Sequence, residues 1–327
     1  MSIANDGSRT RVGFIVGPTG IGKSALAIEI AVRLGGEIVN ADSRLFYRGL
    51  DIGTAKPGAA ERARVPHHLI DICAPNETLD AARFATLAAD VITEIVSRGN
   101  YPLVVGGSGL YLRALQYGLC ASPPAAPELR EQLRRRAAES SPEALHRELE
   151  SVDAAAAARI GHRDLARIVR ALEVYELTGE PLSARQRRHG FAERRYDSIT
   201  VGLAMERAAL YARIDARFDA MLAAGLVDEV RGLLERGYAP DRPPLSTIGY
   251  REIAASLRGE LTLAEAAAAA RRETRRLAKR QLTWFRRDPE IIWLDAEHGG
   301  PQALKMFAEF FDARRDETRV TRHDASC

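Results

Sequence analysis

A phosphate-binding loop near the start of the chain limits the folds that the chain can adopt. Residues 17 to 24 read Gly-Pro-Thr-Gly-Ile-Gly-Lys-Ser. In this pattern, backbone N–H groups and a helix N-terminus hold an oligophosphate, the lysine reaches its outer oxygens, and the last hydroxyl ligates Mg²⁺. An apolar run, Val12 to Val16, precedes the loop, and an apolar helical periodicity that ends at Gly35 follows it. The sequence therefore predicts a strand, a loop and a helix arranged around a phosphate site.

Length and composition favour an ordinary globular protein. The 327 residues, 46% of them hydrophobic, suffice for one large domain or two with a buried core. No apolar run approaches the roughly 20 residues of a membrane helix, and the chain starts with polar residues that lack a signal-peptide core. Cys73, Cys120 and Cys327 are scattered and odd in number, which is typical of a reducing compartment. We therefore expect a cytoplasmic protein without a membrane segment.

The basic residues are almost all arginine, and lysine occurs only at positions 23, 56, 279 and 305. Arginine suits bidentate recognition of phosphate. A GC-rich genome would also favour arginine together with alanine, and the alanine-rich stretches of the chain agree with that explanation. Only the placement of the arginines can therefore indicate an RNA surface.

Strand-like and helical stretches alternate through the first 120 residues, which predicts a parallel sheet flanked by helices. A proline-rich segment at 122–127 then introduces a stretch that contains helical patterns only. A later run, Tyr196–Leu203, returns the chain to the sheet. The predicted strands before the insertion are Val12–Val16, Glu37–Asn40, His68–Ile72 and Leu103–Val105, and after Tyr196–Leu203 come helices at 207–223, 226–236 and 262–287 and a strand at 291–294.

We therefore expect an α/β fold: a P-loop NTPase-like core, with a parallel sheet flanked by helices, and an inserted all-helical subdomain. The predicted first part of the core spans residues 1–125, and the insertion spans 126–195. The second part of the core, with basic C-terminal helices, spans 196–315, and a flexible tail spans 316–327.

Asp42 is the best-placed acidic residue. It follows Ile38 and Val39 and should project from the carboxyl end of a strand, the edge at which open α/β sheets bind ligands. An acidic residue there holds the Mg²⁺ shell or activates a nucleophile. The structural alternative is that Asp42 caps the next segment. Ser108 lies in a second candidate position, the glycine-rich turn after Val105, where backbone can approach a ligand closely.

Arginines on two helices are candidates for phosphate recognition. Arg213 and Arg217 lie four residues apart on one helix and could clamp a pyrophosphate, or could pair with Asp215 or Asp219 instead. The 262–287 helix carries a basic stripe with few acidic residues of its own, which favours an RNA backbone, although a solvated face remains the alternative. The stripe consists of Arg272, Arg275, Arg276, Lys279, Arg280 and Arg286.

The pair His67-His68 followed by Asp71 resembles part of a metal site. No third ligand spacing supports a metal, so we expect a structural role for these residues.

Taken together, these motifs resemble the tRNA dimethylallyltransferases over nearly the whole chain. The family transfers a five-carbon prenyl group from dimethylallyl diphosphate to N6 of adenine 37, beside the anticodon. The matching segments are the phosphate loop, Asn40–Ser43, Asp51–Pro57, Val65–Asp71, Val105–Tyr111, Arg170–Tyr175 with Thr178–Gly179, Ile248–Tyr250 and Lys279–Phe285.

The resemblance implies roles for single residues. Asp42 matches the general base that takes the N6 proton, Arg217 matches the pyrophosphate contact, and Thr19 and Ser108 fall at positions that line the reaction channel. The implied cofactor is Mg²⁺, with Ser24 as its protein ligand. The residues that would hold the diphosphate are Gly17, Pro18, Thr19, Gly20, Ile21, Gly22, Lys23, Ser24 and Arg213.

The resemblance also implies two partners, dimethylallyl diphosphate and the anticodon stem-loop of tRNA. We expect a monomer. The helical insertion resembles the RNA-binding subdomain of the family. Arg44-Leu45 stands where many members have Met-Gln, so the details of anticodon-loop recognition stay open. The implied tRNA contacts are Asp42, Ser43, Arg44, Leu45, Ser108, Arg130, Arg167, Arg170, Gly249, Tyr250 and Arg251.

Two other functions compete with this hypothesis. An adenylate isopentenyltransferase shares the loop and the aspartate, but a free nucleotide needs neither the basic insertion nor the basic C-terminal helix. A P-loop kinase or ATPase usually has an acidic residue at the end of the strand that here reads Val104-Val105-Gly106-Gly107, and none is present.

Overall fold

The computed structural model describes residues 9–191, 193–239 and 245–323, with side chains as far as residue 312. The last four residues of the predicted tail, Cys327 among them, lie outside these ranges. Two compact units make up the chain. The first combines the residues up to Gln116 with those from Arg195 onward, and the second spans Tyr117–Arg194.

A parallel sheet forms the centre of the first unit. Six strands pair in the order β3-β2-β4-β1-β5-β6, and every pairing is parallel. Phe14 and Ile15 in the central β1 are fully buried on opposite faces, which explains the continuous apolar run in the sequence. The predicted α/β fold with a parallel sheet is confirmed. The strands are β1 (Arg11–Val16), β2 (Gly36–Asn40), β3 (His67–His68), β4 (Tyr101–Gly106), β5 (Asp197–Ala204) and β6 (Ile292–Asp295).

The strand predicted at His68–Ile72 is wrong over most of its length, since β3 contains only His67 and His68. Leu69 and Asp71 adopt positive φ angles of 58° and 60°, which a continuous strand does not allow. Leu69 packs into the core instead of pairing in the sheet and is only 8% exposed, whereas Ile72 is 36% exposed.

The helices of the first part of the core begin and end with recognisable signals. The first ends at Gly35, whose φ of 71° permits its N–H to bond the Ala31 carbonyl. The third begins at Asp80, whose carboxylate accepts the Arg83 N–H at 2.8 Å. These helices are α1 (Lys23–Leu34), α2 (Ala59–Arg64), α3 (Ala81–Ser97) and α4 (Gly109–Tyr117).

The second unit, Tyr117–Arg194, contains only helices among its described residues. Its own small core includes Leu133, Leu149, Ile168 and Leu172. The unit begins before the predicted insertion because the segment after α4 joins it, with Arg185 Nη2 donating to the Ala121 carbonyl at 2.7 Å. The helices are α5 (Pro127–Glu139), α6 (Pro142–Val152), α7 (Ala154–Ala157), α8 (Leu165–Thr178) and α9 (Leu182–His189).

Five further helices complete the first unit. The helices predicted at 207–223, 226–236 and 262–287, and the strand predicted at 291–294, are confirmed with small differences at their ends. None of the helices within the described residues has both the length and the apolar character needed to cross a membrane. The helices are α10 (Arg207–Ala223), α11 (Leu226–Glu235), α12 (Tyr250–Leu257), α13 (Leu263–Phe285) and α14 (Gly300–His323).

Candidate active site

The phosphate loop joins the carboxyl end of β1 to the N-terminus of α1. Gly20 and Gly22 have φ angles of 80° and 106°, in the region that side-chain-bearing residues avoid, so the chain can wrap closely here. Lys23 folds over the loop, and its Nζ donates to the Pro18 carbonyl at 2.8 Å. The loop therefore presents backbone N–H groups and one ammonium group to the same space.

The charges beside this loop are close enough to influence each other. Burial lowers the pKa of Lys23 to about 8, the Asp42 carboxylate opposes that effect, and Arg217 adds to it. Burial likewise lowers the pKa of Arg217, against the effect of Asp42. Two cations therefore surround one carboxylate, and the excess positive charge favours an anionic ligand.

Asp42 lies in a tight turn at the carboxyl end of β2. Its N–H donates to Asn40 Oδ1 at 2.9 Å, and Asn40 Nδ2 donates to the Asp42 carbonyl at 3.1 Å. Asp42 Oδ1 accepts the Arg44 N–H at 3.0 Å, so the carboxylate does cap a local turn. No helix follows, because the next one begins at Ala59. Oδ2 carries no hydrogen bond from any described residue and remains available to a ligand.

The glycine-rich turn after β4 approaches Asp42 from the neighbouring strand. The Ala41 N–H donates to the Val105 carbonyl at 2.8 Å, which extends the pairing of the two strands to their ends. A Cβ atom at Gly106 would overlap the Ala41 carbonyl, so the approach requires glycine. Ser108 Oγ then accepts the Ser43 N–H at 3.1 Å. The structure thus brings Ser108 beside the turn that contains Asp42, and both residues line one cavity.

Arg213 and Arg217 face the site from α10. The alternative pairing with Asp215 and Asp219 is wrong, because these carboxylates bond Arg275 and Arg271 of α13. Arg217 Nη2 donates instead to the Thr54 carbonyl at 3.3 Å. Arg213 Nη2 lies 3.5 Å from the point where a Cβ of Gly22 would be. Both guanidinium groups are therefore available at the phosphate loop.

Two cavities meet at these residues. The larger, of about 800 Å³, contains the loop residues Lys23 and Ser24 together with apolar side chains that include Ile52 and Ile70. The smaller, of about 420 Å³, contains Ser108 and extends toward Thr247 and α13. The residues that line both cavities are Thr19, Gly20, Asp42, Thr54, Arg217 and Met221. The cavity at the phosphate loop and the second cavity therefore share a wall that includes Thr19, Asp42 and Arg217.

The smaller cavity holds one hydroxyl that lacks a partner. Thr247 is only 7% exposed, and its Oγ1 bonds no atom of the described residues. Ser43, Arg44 and Ser108 line the same cavity, whereas Leu45 lines only the larger one. The tRNA contact implied for Leu45 stays a prediction.

Sequence reasoning missed Gln281, which connects the two sides of the site from α13. Its Oε1 accepts the Thr19 N–H at 2.9 Å, and its Nε2 donates to the Gly107 carbonyl at 3.0 Å. The only sequence signal was its position within the family motif Lys279–Phe285, to which no role was given.

The basic stripe of α13 is more neutralised than predicted. Arg275 pairs with Asp215 of α10, and Arg276 pairs with Glu273. The acidic partner of Arg275 lies 60 residues away in sequence, so a count of acidic residues along α13 could not reveal it. Arg280 still lines the smaller cavity.

Tyr250 is the clearest error among the predicted RNA contacts. The residue is fully buried, and its hydroxyl donates to Glu229 Oε1 at 2.5 Å. Burial and the adjacent Glu229 carboxylate raise the pKa of Tyr250, so it stays a protonated donor. Gly249 caps α12 with its N–H on Glu252 Oε2 at 2.7 Å. Arg251 also bonds Glu252, while its side chain stays half exposed.

Two arginines predicted to contact RNA serve a buried carboxylate in the helical unit. Glu173 is fully buried and accepts from Arg130 at 2.8 Å, from Arg170 at 2.5 Å and from the Ala126 N–H at 2.8 Å. Arg167 differs, because its side chain is 69% exposed and pairs with Asp164 on the same helical end. The structure therefore gives Arg130 and Arg170 a structural role, and RNA contact stays a prediction for all three arginines.

The structural role predicted for His67, His68 and Asp71 is confirmed. His67 Nδ1 bonds the Val65 carbonyl at 2.8 Å, and His68 Nε2 bonds Glu37 at 2.6 Å. Asp71 pairs with Lys56 and with Arg62. Within the described ranges, no group of three or more His, Cys, Asp or Glu side chains could hold a metal ion.

The oxygen atoms at the phosphate loop nevertheless fit Mg²⁺. The Ser24 hydroxyl and the Asp42 carboxylate both line the larger cavity. A sparse set of protein oxygens is typical of Mg²⁺, which keeps several waters and is held mainly by substrate phosphates.

Comparison with known proteins places this site in a family. The model of a family described as IPP transferase matches residues 45–288. A tRNA dimethylallyltransferase 1 from Pelobacter propionicus is 50% identical over 302 residues, which cover 92% of this chain and 98% of that protein. A crystal structure of a tRNA isopentenylpyrophosphate transferase from Bacillus halodurans has 38% identity and a TM-score of 0.69, and the match covers 97% of this chain and all of that one. A structure of a eukaryotic dimethylallyltransferase acting on tRNA has 26% identity and a TM-score of 0.80 over 93% of this chain and 80% of the other. With matches along almost its whole length and the loop, Asp42 and Arg217 at one site, the chain belongs to the IPP transferase family.

Proposed function

We propose that the protein transfers a dimethylallyl group from dimethylallyl diphosphate to N6 of adenine 37 in tRNA and releases diphosphate. One observation carries this proposal. Asp42 and Arg217 line both the cavity at the phosphate loop and the cavity beside it. A donor diphosphate in one space and an acceptor base in the other would meet at these two side chains, which suit a base and a leaving-group contact.

The larger cavity suits the donor. Its phosphate end offers backbone N–H groups of the loop, Lys23 and Arg213, and its apolar residues Ile52, Ile70 and Met221 suit a hydrocarbon tail. Breaking the allylic C–O bond leaves its electron pair on the diphosphate, so fixed cations stabilise the charge as it grows. Arg217, whose Nη2 donates to the Thr54 carbonyl, would stabilise this developing charge.

Mg²⁺ would be held by the Ser24 hydroxyl together with the oxygens of the donor diphosphate. The bound ion would supply further neutralisation of the leaving group. Lys23, Arg213 and Arg217 would bind and orient the diphosphate.

Asp42 suits the role of general base on the acceptor side. As N6 attacks the first carbon of the prenyl group, a new C–N bond forms and N6 loses a proton. Asp42 Oδ2 has no hydrogen-bond partner among the described residues and would accept that proton, while the hydrogen bond from Arg44 N–H to Oδ1 fixes the carboxylate. Thr19 and Ser108 line the passage through which the base would approach.

The adenine must leave its stack to reach this depth, as in other enzymes that modify bases. Arg44 and Arg280 line the smaller cavity and suit the phosphates of the anticodon loop. The exposed Arg167 of the helical unit suits a phosphate further along the RNA. Since the substrate is tRNA, the proposed place of action is the cytoplasm, and a monomer would suffice.

The rival functions lack comparable support. Binding of a free nucleotide would not require the exposed Arg167 and Arg280. A kinase or ATPase would need an acidic residue at the end of β4, where glycine packs against Ala41.

The test is transfer of radiolabelled dimethylallyl from its diphosphate, with Mg²⁺, to an unmodified tRNA that has consecutive adenines after the anticodon, with AMP as a parallel acceptor. We expect label in the tRNA alone. Label in AMP alone would support the adenylate isopentenyltransferase reaction. Label in neither acceptor would contradict prenyl transfer and favour a kinase or ATPase.

A further inference from the structure

A single carboxylate outside both cavities organises one wall of the site. Glu229 lies on α11 and accepts four hydrogen bonds. Its Oε2 accepts the N–H groups of Asp51 and Ile52 at 3.0 and 2.8 Å. Its Oε1 accepts the Gly53 N–H at 3.1 Å and the Tyr250 hydroxyl at 2.5 Å. Three successive backbone donors therefore converge on one internal anion.

Such a convergence of N–H groups ordinarily forms an anion-binding concavity. Here the chain itself supplies the anion. The Tyr250 ring packs directly on the same turn, because a Cβ at Gly53 would lie 2.5 Å from the ring. The glycine, the tyrosine and Glu229 thus form one arrangement, which explains why Tyr250 is buried instead of facing RNA.

The segment held by Glu229 controls the position of Arg217. Thr54 follows the three bound N–H groups directly, and its carbonyl accepts Arg217 Nη2 at 3.3 Å. The other end of the segment is also fixed, since Lys56 Nζ donates to Asp51 at 2.6 Å and to the Tyr47 carbonyl at 2.7 Å. The Thr54 carbonyl therefore lies between the contacts of Glu229 and those of Lys56, and the Thr54 hydroxyl adds a hydrogen bond to the Leu50 carbonyl at 2.6 Å.

We propose that Glu229 is a positioning residue for the leaving diphosphate: it fixes the 51–53 turn, the turn fixes the Thr54 carbonyl, and the carbonyl orients Arg217. The inference rests on the proposed function, because it assigns Arg217 to the diphosphate. Glu229 itself touches neither substrate. Its effect should therefore appear in the donor half of the reaction and leave RNA binding unchanged.

The variant Glu229→Gln tests this role. Glutamine keeps the shape but replaces one accepting oxygen with an NH₂ group that faces N–H donors, so the turn cannot stay closed as before. We expect the Kd of inorganic diphosphate with Mg²⁺ to rise roughly tenfold and kcat to fall by a similar factor. The tRNA Kd should stay within about twofold of the wild type. Glu235→Gln on the same helix makes the same charge change at an exposed position and serves as the matched control.

A double-mutant cycle separates positioning from mere stabilisation of the fold. If Glu229 acts through Arg217, the penalty of Glu229→Gln on diphosphate binding should largely vanish in an Arg217→Lys background. Additive penalties, or a diphosphate Kd and kcat that match those of Glu235→Gln, would overturn the inference.

Tyr250→Phe removes only one of the four contacts and serves if Glu229→Gln does not fold. We expect a rise of about threefold in the diphosphate Kd, and an unchanged value would count against the inference. Diphosphate binding and prenyl transfer of the wild-type protein distinguish failure of one proposal from failure of the other. Failure of the proposed function would appear as absent diphosphate binding and absent prenyl transfer in the wild type, whereas failure of the inference would leave both intact.

Discussion

Gln281 accepts the N–H of Thr19 at 2.9 Å, although 262 positions separate the two residues. The same side chain donates to the Gly107 carbonyl at 3.0 Å, so one amide connects the phosphate loop with the glycine-rich turn of β4. The long basic helix α13 therefore supports the junction of the two cavities as well as carrying arginines.

Replacing Gln281 with alanine should slow prenyl transfer without abolishing RNA binding. The change leaves the Thr19 N–H and the Gly107 carbonyl without their partner, and we expect kcat to fall roughly tenfold. Thr283→Ala removes an exposed hydroxyl that donates to the Lys279 carbonyl of the same helix, and this variant is the control. Equal turnover of the two variants, measured at saturating tRNA and donor, would contradict the bridging role.

Asp42→Asn should reduce prenyl transfer by at least about 100-fold, because an amide cannot take the N6 proton. The asparagine retains an oxygen for the Arg44 N–H, so the turn and the tRNA Kd should be preserved. Single-turnover transfer with prebound tRNA measures the chemical step apart from binding. A rate close to that of the wild type would remove Asp42 from the role of base.

The pH dependence of donor use should report Lys23. Burial lowers the pKa of Lys23 to about 8 in the free protein, with Asp42 acting in the opposite direction. Only the protonated form attracts the diphosphate, so kcat/KM for the donor should fall as pH rises through this value, about tenfold per pH unit above it. Lys23→Arg keeps its charge throughout and should give a flat profile in this range. A wild-type profile that stays flat to pH 9.5 would contradict the assignment.

The salt dependence of tRNA binding should change when the Arg167 side chain is removed. Truncating this exposed side chain to alanine should weaken tRNA binding and reduce the slope of log K against log salt by about 1. Arg33→Ala removes the same charge from the last turn of α1, far along that helix from the phosphate loop, and should leave the slope unchanged. Identical slopes for both variants would count against the helical unit as an RNA surface.

Local sequence patterns predicted much of the fold and the part of the site that is formed by neighbouring residues. The phosphate loop, the carboxylate at the end of β2 and the glycine turn of β4 each depend on neighbouring residues, so their spacing was informative. Gln281 and Glu229 act on residues far away in the chain, and no local pattern indicates which turn a side chain will reach. Tyr250 lies in a motif that the sequence revealed, but the motif did not predict that its ring is buried against Gly53.

The buried carboxylate of the helical unit provides a last prediction, on stability. Burial alone would raise the pKa of Glu173, but hydrogen bonds from Arg130, from the Ala126 N–H and from Arg170 outweigh it, and the pKa is lowered. Glu173→Gln should therefore destabilise the unit by about 2 kcal/mol, since it leaves two arginines and one N–H with a single neutral acceptor.

Glu131→Gln breaks only an exposed ion pair on α5 and should cost less than about 0.5 kcal/mol. Thermal unfolding followed by circular dichroism at pH 7 compares the two variants with the wild type. The lowered pKa means that the contribution of Glu173 is present above its unfolded value and is lost as the pH falls through its folded value. The gap between wild type and Glu173→Gln should therefore narrow in acid, and a constant gap down to pH 3 would show that charge is not what stabilises this cluster.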